Sequence, residues 1–140
     1  MSAGFRELDG VTADVGIEAW GQTLEEAFSH AGNALASLMS DRGALAGDLL
    51  LDISVTADDR ASLLVTFLNE IIFLEETEDF LPLEVASLDI DGNRLCSTIS
   101  GSSYDASVHR RNMEVKAATY HGLRIEENKT GFRVRVIFDV

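Results

Sequence analysis

Acidic oxygens stand near both ends of this chain. Asp14 lies in "TADVGIEAWG", two residues before Gly16, and the last stretch, "VRVIFDV", carries Asp139 followed by Val140 with its carboxylate. If the strands holding these residues pair, three carboxylates converge. Like charges at that distance repel unless a counter-ion, a lysine or a proton intervenes, and a cluster made only of oxygens suits a hard cation such as Ca²⁺ or Mg²⁺. Two carboxylates with separated pKa values could also do general acid and base work. Taken singly, Asp14 reads as a turn or strand-start residue and Asp139 as a solvated acid.

Two further groups are rich in reactive side chains. "EVKAATYHGLRIEENKTG" contains Lys116, Tyr120 and His121. In a regular strand Lys116 and Tyr120 share a face while His121 points to the other, so Lys116 and His121 make a poor catalytic couple within the segment. Lys116 could still reach a neighbouring carboxylate. "SYDASVHRR" gathers Tyr104, Asp105, His109, Arg110 and Arg111, the densest basic spot, where arginine could pair with a phosphate or an acidic partner. A solvated loop is the plainer reading of it.

Familiar enzyme templates are missing. The sequence has no Gly-rich phosphate cradle, no Gly-x-Ser-x-Gly elbow and no His-x-x-x-His pair. Its single cysteine, Cys96, cannot close an internal disulfide and has no zinc-like spacing to the three histidines.

The elements that must position these groups follow from periodicity. Phe5 to Leu8, and then Val15, Ile17 and Ala19 alternating with Gly16, Glu18 and Trp20, predict a strand pair. Thr23 and Glu26 form a capping box ahead of Leu24, Phe28, Ala31, Leu35 and Leu38, which predicts an amphipathic helix ending near Gly43. Leu49, Leu51, Ile53 and Val55 alternate as a strand. Asp58 or Asp59 then caps a second helix whose buried stripe is Leu64, Phe67, Leu68, Ile71 and Ile72. That helix runs into "EETED", where Glu75, Glu76, Glu78 and Asp79 meet the negative end of the helix dipole. Something outside the helix could compensate; such an end reads either as solvated and slightly frayed or as an acidic edge offered to a basic protein partner.

Asp91 and Gly92 mark one hairpin, and "ENKTGF" marks another between Glu114 to Glu126 and Phe132 to Asp139. In the last strand Phe132, Val134, Val136 and Phe138 take one face, with Arg133, Arg135, Ile137 and Asp139 on the other. The expected fold is α+β: two amphipathic helices packed on a mainly antiparallel sheet, in a single compact domain spanning residues 1–140.

Composition narrows the function classes. A formal net charge of −13 argues against strong direct binding of nucleic acid, because that affinity comes mainly from Lys and Arg displacing counterions. The same charge favours solubility, cation binding and fast encounter with a basic partner. Apolar runs stop well short of the roughly 20 residues a membrane span needs, and no leader is evident, so a cytoplasmic protein is expected.

With these stretches assembled, the sequence resembles the archease family. The likeness is carried by "TADVGIEAWG", "FLNEIIFLEETEDFLPLEV", "EVKAATYHGLRIEENKTG" and "RVRVIFDV", separated motifs in the right order over nearly the whole chain. It implies a non-catalytic accessory protein for the RNA ligase that joins 2′,3′-cyclic-phosphate or 3′-phosphate ends to 5′-hydroxyl ends in tRNA splicing. Such proteins promote guanylylation of the ligase, give it many turnovers and broaden its nucleotide use. The resemblance also implies a divalent-metal site on Asp14, Asp139 and Val140, with Ca²⁺ first and Mg²⁺ or Mn²⁺ as alternatives, and it makes Lys116 a functional candidate, with His121 beside it. The chain departs from the family where Gly10 and Val11 stand in place of a usual histidine region and where Ala106 stands in place of a common proline. The rival readings are a general chaperone for RNA-processing proteins and a small metal-dependent hydrolase.

Overall fold

The computed structural model describes residues 4–8, 14–41, 43, 45–109 and 111–140. Gly10, Val11 and Arg110 lie outside the described residues. The elements in chain order are β1 (Phe5–Leu8), β2 (Val15–Gly21), α1 (Leu24–Met39), β3 (Leu49–Thr56), α2 (Arg60–Thr77), β4 (Phe80–Asp91), β5 (Arg94–Ser103), β6 (Ala117–Asn128) and β7 (Gly131–Asp139). The expected α+β class holds. The strands divide into two antiparallel sheets, β1-β2-β7-β6 and β3-β5-β4, and each helix packs against both, α1 on β2 and β4, α2 on β3 and β6.

Both helices begin where side-chain oxygens can accept orphan backbone N–H groups. Thr23 Oγ1 accepts from Glu26 N–H at 3.1 Å, and the Glu26 carboxylate reaches back to Gln22 N–H at 3.3 Å. Of the two expected caps on α2, Asp59 is the one used, accepting from Ser62 N–H at 2.7 Å. All the anticipated stripe residues of both helices are buried. Helix α1 stops four residues before Gly43, because Ser40 turns to extended backbone and bridges Arg111 while Met39 C=O accepts from Asn112 N–H.

The core joins the layers through Phe28, Phe67, Phe80 and Phe138, none with exposed surface. Burying each contributes on the order of 2–3 kcal/mol. Two asparagines inside the helical apolar runs have a different task. Asn69 on α2 accepts from Ala118 N–H at 2.8 Å and donates to Ala118 C=O at 3.4 Å, satisfying the outer edge of β6. Asn33 on α1 accepts from Val85 N–H at 2.8 Å, beside an irregularity in the β4–β5 pairing. Both fasten a helix to a strand whose backbone groups would otherwise be orphaned.

The hairpin turns fall where glycine signals placed them. Gly92 follows β4 with φ 61°, and Asn128 ties the β6–β7 turn by accepting from Thr130 N–H and Gly131 N–H. Gly131 has φ 145°, and a side chain there would strike the carbonyl of Gly21 on β2. Close approach of two backbones therefore requires glycine at this corner.

Replacing Asn69 by alanine leaves two backbone groups of Ala118 without their partner. Urea denaturation should show a loss of about 2 kcal/mol, the usual cost of orphaned buried polar groups. An unchanged midpoint would mean that water or another group already satisfies Ala118.

Candidate functional site

Strand β2 lies between β1 and β7, so segments from opposite ends of the sequence are hydrogen-bonded neighbours. The sequence pattern dictates this pairing: Ile17 faces Val136 and Ala19 faces Val134, each at most 1% exposed, so a one-residue slip would turn the apolar set outward. The register begins at Val15 opposite Phe138. Asp14 directly precedes Val15 and Asp139 directly follows Phe138, so continuing the register by one step would set the two acids opposite each other. Opposed residues on paired antiparallel strands have Cα atoms roughly 4.5–5.5 Å apart, so the backbones flanking Val15 and Phe138 bring Asp14 and Asp139 to the same end of the sheet. Asp14 is half-buried and Asp139 exposed; Val140 beside it is 39% exposed.

The third strand at this end is β6. Ala117 pairs with Asp139, and Lys116 N–H donates to Asp139 C=O at 2.9 Å. Lys116 is therefore locked by its own backbone to the aspartate that precedes Val140, and its exposed side chain leaves from that corner. Asn69 holds the next residue but one, Ala118, from the opposite edge.

His121 lies where the β6–β7 pairing is irregular. Pairing between β6 and β7 jumps from Thr119–Ile137 to Arg124–Arg135, so the four residues from Tyr120 to Leu123 oppose Val136 alone. Gly122 adopts φ 64° within this bulge. Alternation of faces ends there, and Tyr120 and His121 both stand exposed at an edge strand. Regular alternation is thus interrupted between Lys116 and His121, so strand period alone does not fix their relative faces.

The donor set at the Asp14 corner can be tested against the hard-cation expectation. Among the described residues, no three His, Cys, Asp or Glu side chains gather closely enough to hold a metal. What this end of the sheet offers is Asp14 just before β2 and Asp139 at the end of β7, with the oxygens of Val140 as the further donor. Carboxylate and main-chain oxygens are the ligands that Ca²⁺ and Mg²⁺ prefer, so the chemistry of the set fits such an ion.

The second candidate group is built inward. Arg111 stacks over the Tyr104 ring with 3.8 Å from guanidinium carbon to centroid, donates to Glu75 at 2.9 Å and lies 3.5 Å from Asp79. Tyr104 N–H also donates to Asp79 C=O at 2.7 Å. This arginine answers the acidic C-terminal end of α2, which has no basic residue in its last turn. The intervening loop is self-bonded: Asp105 accepts from the Ser107 hydroxyl at 2.7 Å and its N–H at 3.0 Å, while His109 Nδ1 accepts from Asp105 N–H at 2.9 Å. Arg111 is thus committed within the fold, which weakens the phosphate-contact reading of this loop.

Residue patterning did not single out Asn33 and Asn69. Each was signalled only as a single amide inside an otherwise apolar helical run, "AGNALA" and "FLNEII".

The chain is similar to known proteins in sequence and in fold. Residues 5–140 match the family described as "Archease protein family (MTH1598/TM1083)". Protein archease of Methanothermobacter thermautotrophicus is 35% identical, over 98% of this chain and 99% of its own. An archease-like protein of Drosophila melanogaster is 32% identical over 92% and 86%. The solution structure of Methanobacterium thermoautotrophicum protein 1598 superposes with TM-score 0.81 at 32% identity, covering 99% of this chain and 100% of that one. The crystal structure of a Thermotoga maritima protein, described as an archease and possible chaperone, has the same fold at TM-score 0.65 and 23% identity, over 96% and 97%.

The hydroxyl and N–H of Ser107 hold the Asp105 carboxyl below its ordinary value. A depressed carboxylate contributes its full stabilisation above the unfolded pKa and loses it as pH falls through the folded one. The Ser107 amide resonance should therefore titrate with a midpoint below the usual aspartate value of about 3.9. A midpoint at or above that value would contradict the bonded loop.

Proposed function

Since the chain belongs to the archease family, we propose that it is an accessory activator of the tRNA-splicing RNA ligase, working from the corner where Asp14, Asp139, Val140 and Lys116 meet. The observation that supports this reading is the β2–β7 register, which pairs Val15, the neighbour of Asp14, with Phe138, the neighbour of Asp139. The activator promotes guanylylation of the ligase, sustains its multiple turnover and broadens its nucleotide use. It is not itself the ligase.

Asp14, Asp139 and Val140 would hold a divalent cation, Ca²⁺ by preference, with Mg²⁺ or Mn²⁺ also suited to oxygen donors. When bound, such an ion supplies concentrated positive charge that can polarise phosphate oxygens. The protein's own part is positioning. The paired strands fix where the carboxylates stand, so no ordering cost falls at the moment of docking. Lys116, tied through its backbone N–H to Asp139 C=O, carries an exposed ammonium group on the strand end next to Asp139 that can donate to a phosphate oxygen. His121, exposed on the β6 bulge, is available to a docked partner along the same strand. Orientation of this kind can lower a barrier by several kcal/mol without covalent participation. A protein charge of −13 suits a helper that leaves the main grip on RNA to the ligase. No helix among the described residues is long and apolar enough to cross a membrane.

General chaperone activity is the rival. It is favoured by the description of the Thermotoga maritima protein as a possible chaperone and by exposed Leu50, Phe73, Val108 and Tyr120. The two readings separate in a multiple-turnover ligation assay with purified ligase and 3′-phosphate RNA. Added protein should raise both guanylylation and turnover, and Asp14→Ala or Lys116→Ala should reduce that gain at least about tenfold, the loss expected when a positioned charged group is removed. Unchanged ligation in the presence of the wild-type protein would refute the activator reading. Suppressed aggregation of unrelated clients, insensitive to Asp14→Ala, would install the chaperone instead.

A further inference from the structure

The outer face of the β1-β2-β7-β6 sheet, away from both helices, gathers Arg6, Arg124, Arg133 and Arg135 against Glu18 and Glu126, a local excess of arginine in an otherwise acidic protein. Alternation along β7 sends Arg133 and Arg135 outward, since Val134 and Val136 are buried. Opposite Arg135 stand Glu18 on β2 and Arg124 on β6, opposite Arg133 stand Trp20 on β2 and Glu126 on β6, and Arg6 on β1 lies opposite Glu18. The acid at the centre is already shared. Glu18 is 3.1 Å from Arg6 and 2.6 Å from Arg133, although its direct register partner is Arg135.

Arg135 is consequently left over. It faces Arg124 directly across the ladder, a like-charge pair that is unfavourable on its own. Its Nε is buried and has no hydrogen-bond partner among the described residues. A guanidinium pair facing each other, with one donor desolvated and unsatisfied, is an arrangement an oxyanion completes.

The surroundings favour a phosphodiester strand as the source of that oxyanion. At one end of the arginine row, Trp20 lies under the Arg133 guanidinium at 5.4 Å and lines a cleft of about 460 Å³. The His30 Nδ1–H donates to Trp20 C=O at 2.6 Å and steadies that wall. Four residues beyond Arg135 on the same face of β7 stands Asp139, roughly 13 Å away at strand rise. An indole and a row of guanidiniums thus follow one another along a single pair of strands, with Ile137, 3% exposed, between Arg135 and the acidic corner. Sheet faces that combine arginine with an aromatic platform bind single strands through phosphate contacts and base stacking.

We propose that this face holds the backbone of single-stranded RNA, with Arg124 and Arg135 on its phosphates and Trp20 against a base, so that the strand's end is directed toward the Asp14–Asp139 corner. The choice of RNA rests on the activator reading. The protein's overall negative charge keeps the contact weak and confines it to this face.

The test is fluorescence anisotropy with a short single-stranded oligoribonucleotide ending in a 3′-phosphate, at low salt, with a chelator and without ligase. The wild-type protein should bind. The double variant Arg124→Gln, Arg135→Gln should bind about tenfold more weakly, and its log Kd against log salt should lose about 1.4 in slope, roughly 0.7 per phosphate contact removed. Arg94→Gln, on the other sheet, should match wild type. If circular dichroism shows the double variant unfolded, Arg124→Gln alone should lose about half that slope. The proposal is overturned if wild type binds no RNA, if the arginine variants bind as tightly as wild type, or if poly-glutamate binds more tightly than the RNA. Because no ligase is present, failure here leaves ligase activation untouched, and failure of activation leaves this binding untouched.

Discussion

Everything at the proposed working corner depends on β2 lying against β7. Strands from opposite ends of the sequence carry large loop-closure entropy, so the pairing must be held by burial rather than by local preference. Ile17 and Ala19 against Val136 and Val134, sealed beneath α1, supply that burial. Because side chains alternate with a period of two, the apolar contacts that hold the inner face also fix the outer one. Glu18, Arg133, Arg135 and Asp139 have no freedom to choose another face while the core remains closed.

The same coupling explains why three strands contribute to one corner. Asp139 ends β7, Ala117 opens β6 opposite it, and Asp14 comes just before β2. None of these residues is near the others in sequence. The corner is a consequence of sheet order, β2-β7-β6, and of Asn69, which satisfies the free edge of β6 through Ala118. A bulge from Tyr120 to Leu123 then lets the strand resume pairing at Arg124, which brings Arg124 opposite Arg135. Polar clamps and irregular pairing therefore place the charged groups as much as regular strand geometry does.

Much of this was readable from residue patterns. The capping box at Thr23, the Asp59 cap, both apolar stripes and the strand alternations of β2, β3 and β7 each express a local period, and local periods are visible in sequence. The acidic end of α2 was readable as a charge awaiting an answer, and Arg111 gives it from 36 residues beyond Glu75. What could not be read is whatever depends on two distant segments at once. The division into two sheets, the early exit of α1 at Ser40 and the β6 bulge all arise from competition between local preference and a partner strand or loop. Asn33 and Asn69 were visible as isolated amides, but their targets, Val85 and Ala118, are defined only by the fold. The Asp14–Asp139 neighbourhood was legible as a condition, that the end strands pair, and the register supplies the condition.

The proposed grip of these paired-strand oxygens on one hard cation is open to a residue-by-residue measurement, the titration of Ca²⁺ into ¹⁵N-labelled protein. Amide shifts that saturate together at Val15 and Gly16, at Lys116 and Ala117, and at Phe138 to Val140, and that vanish in Asp14→Asn, are the predicted result. Shifts confined to the other acidic region, Glu75 to Asp79, or an Asp14→Asn protein that responds as wild type does, would contradict it.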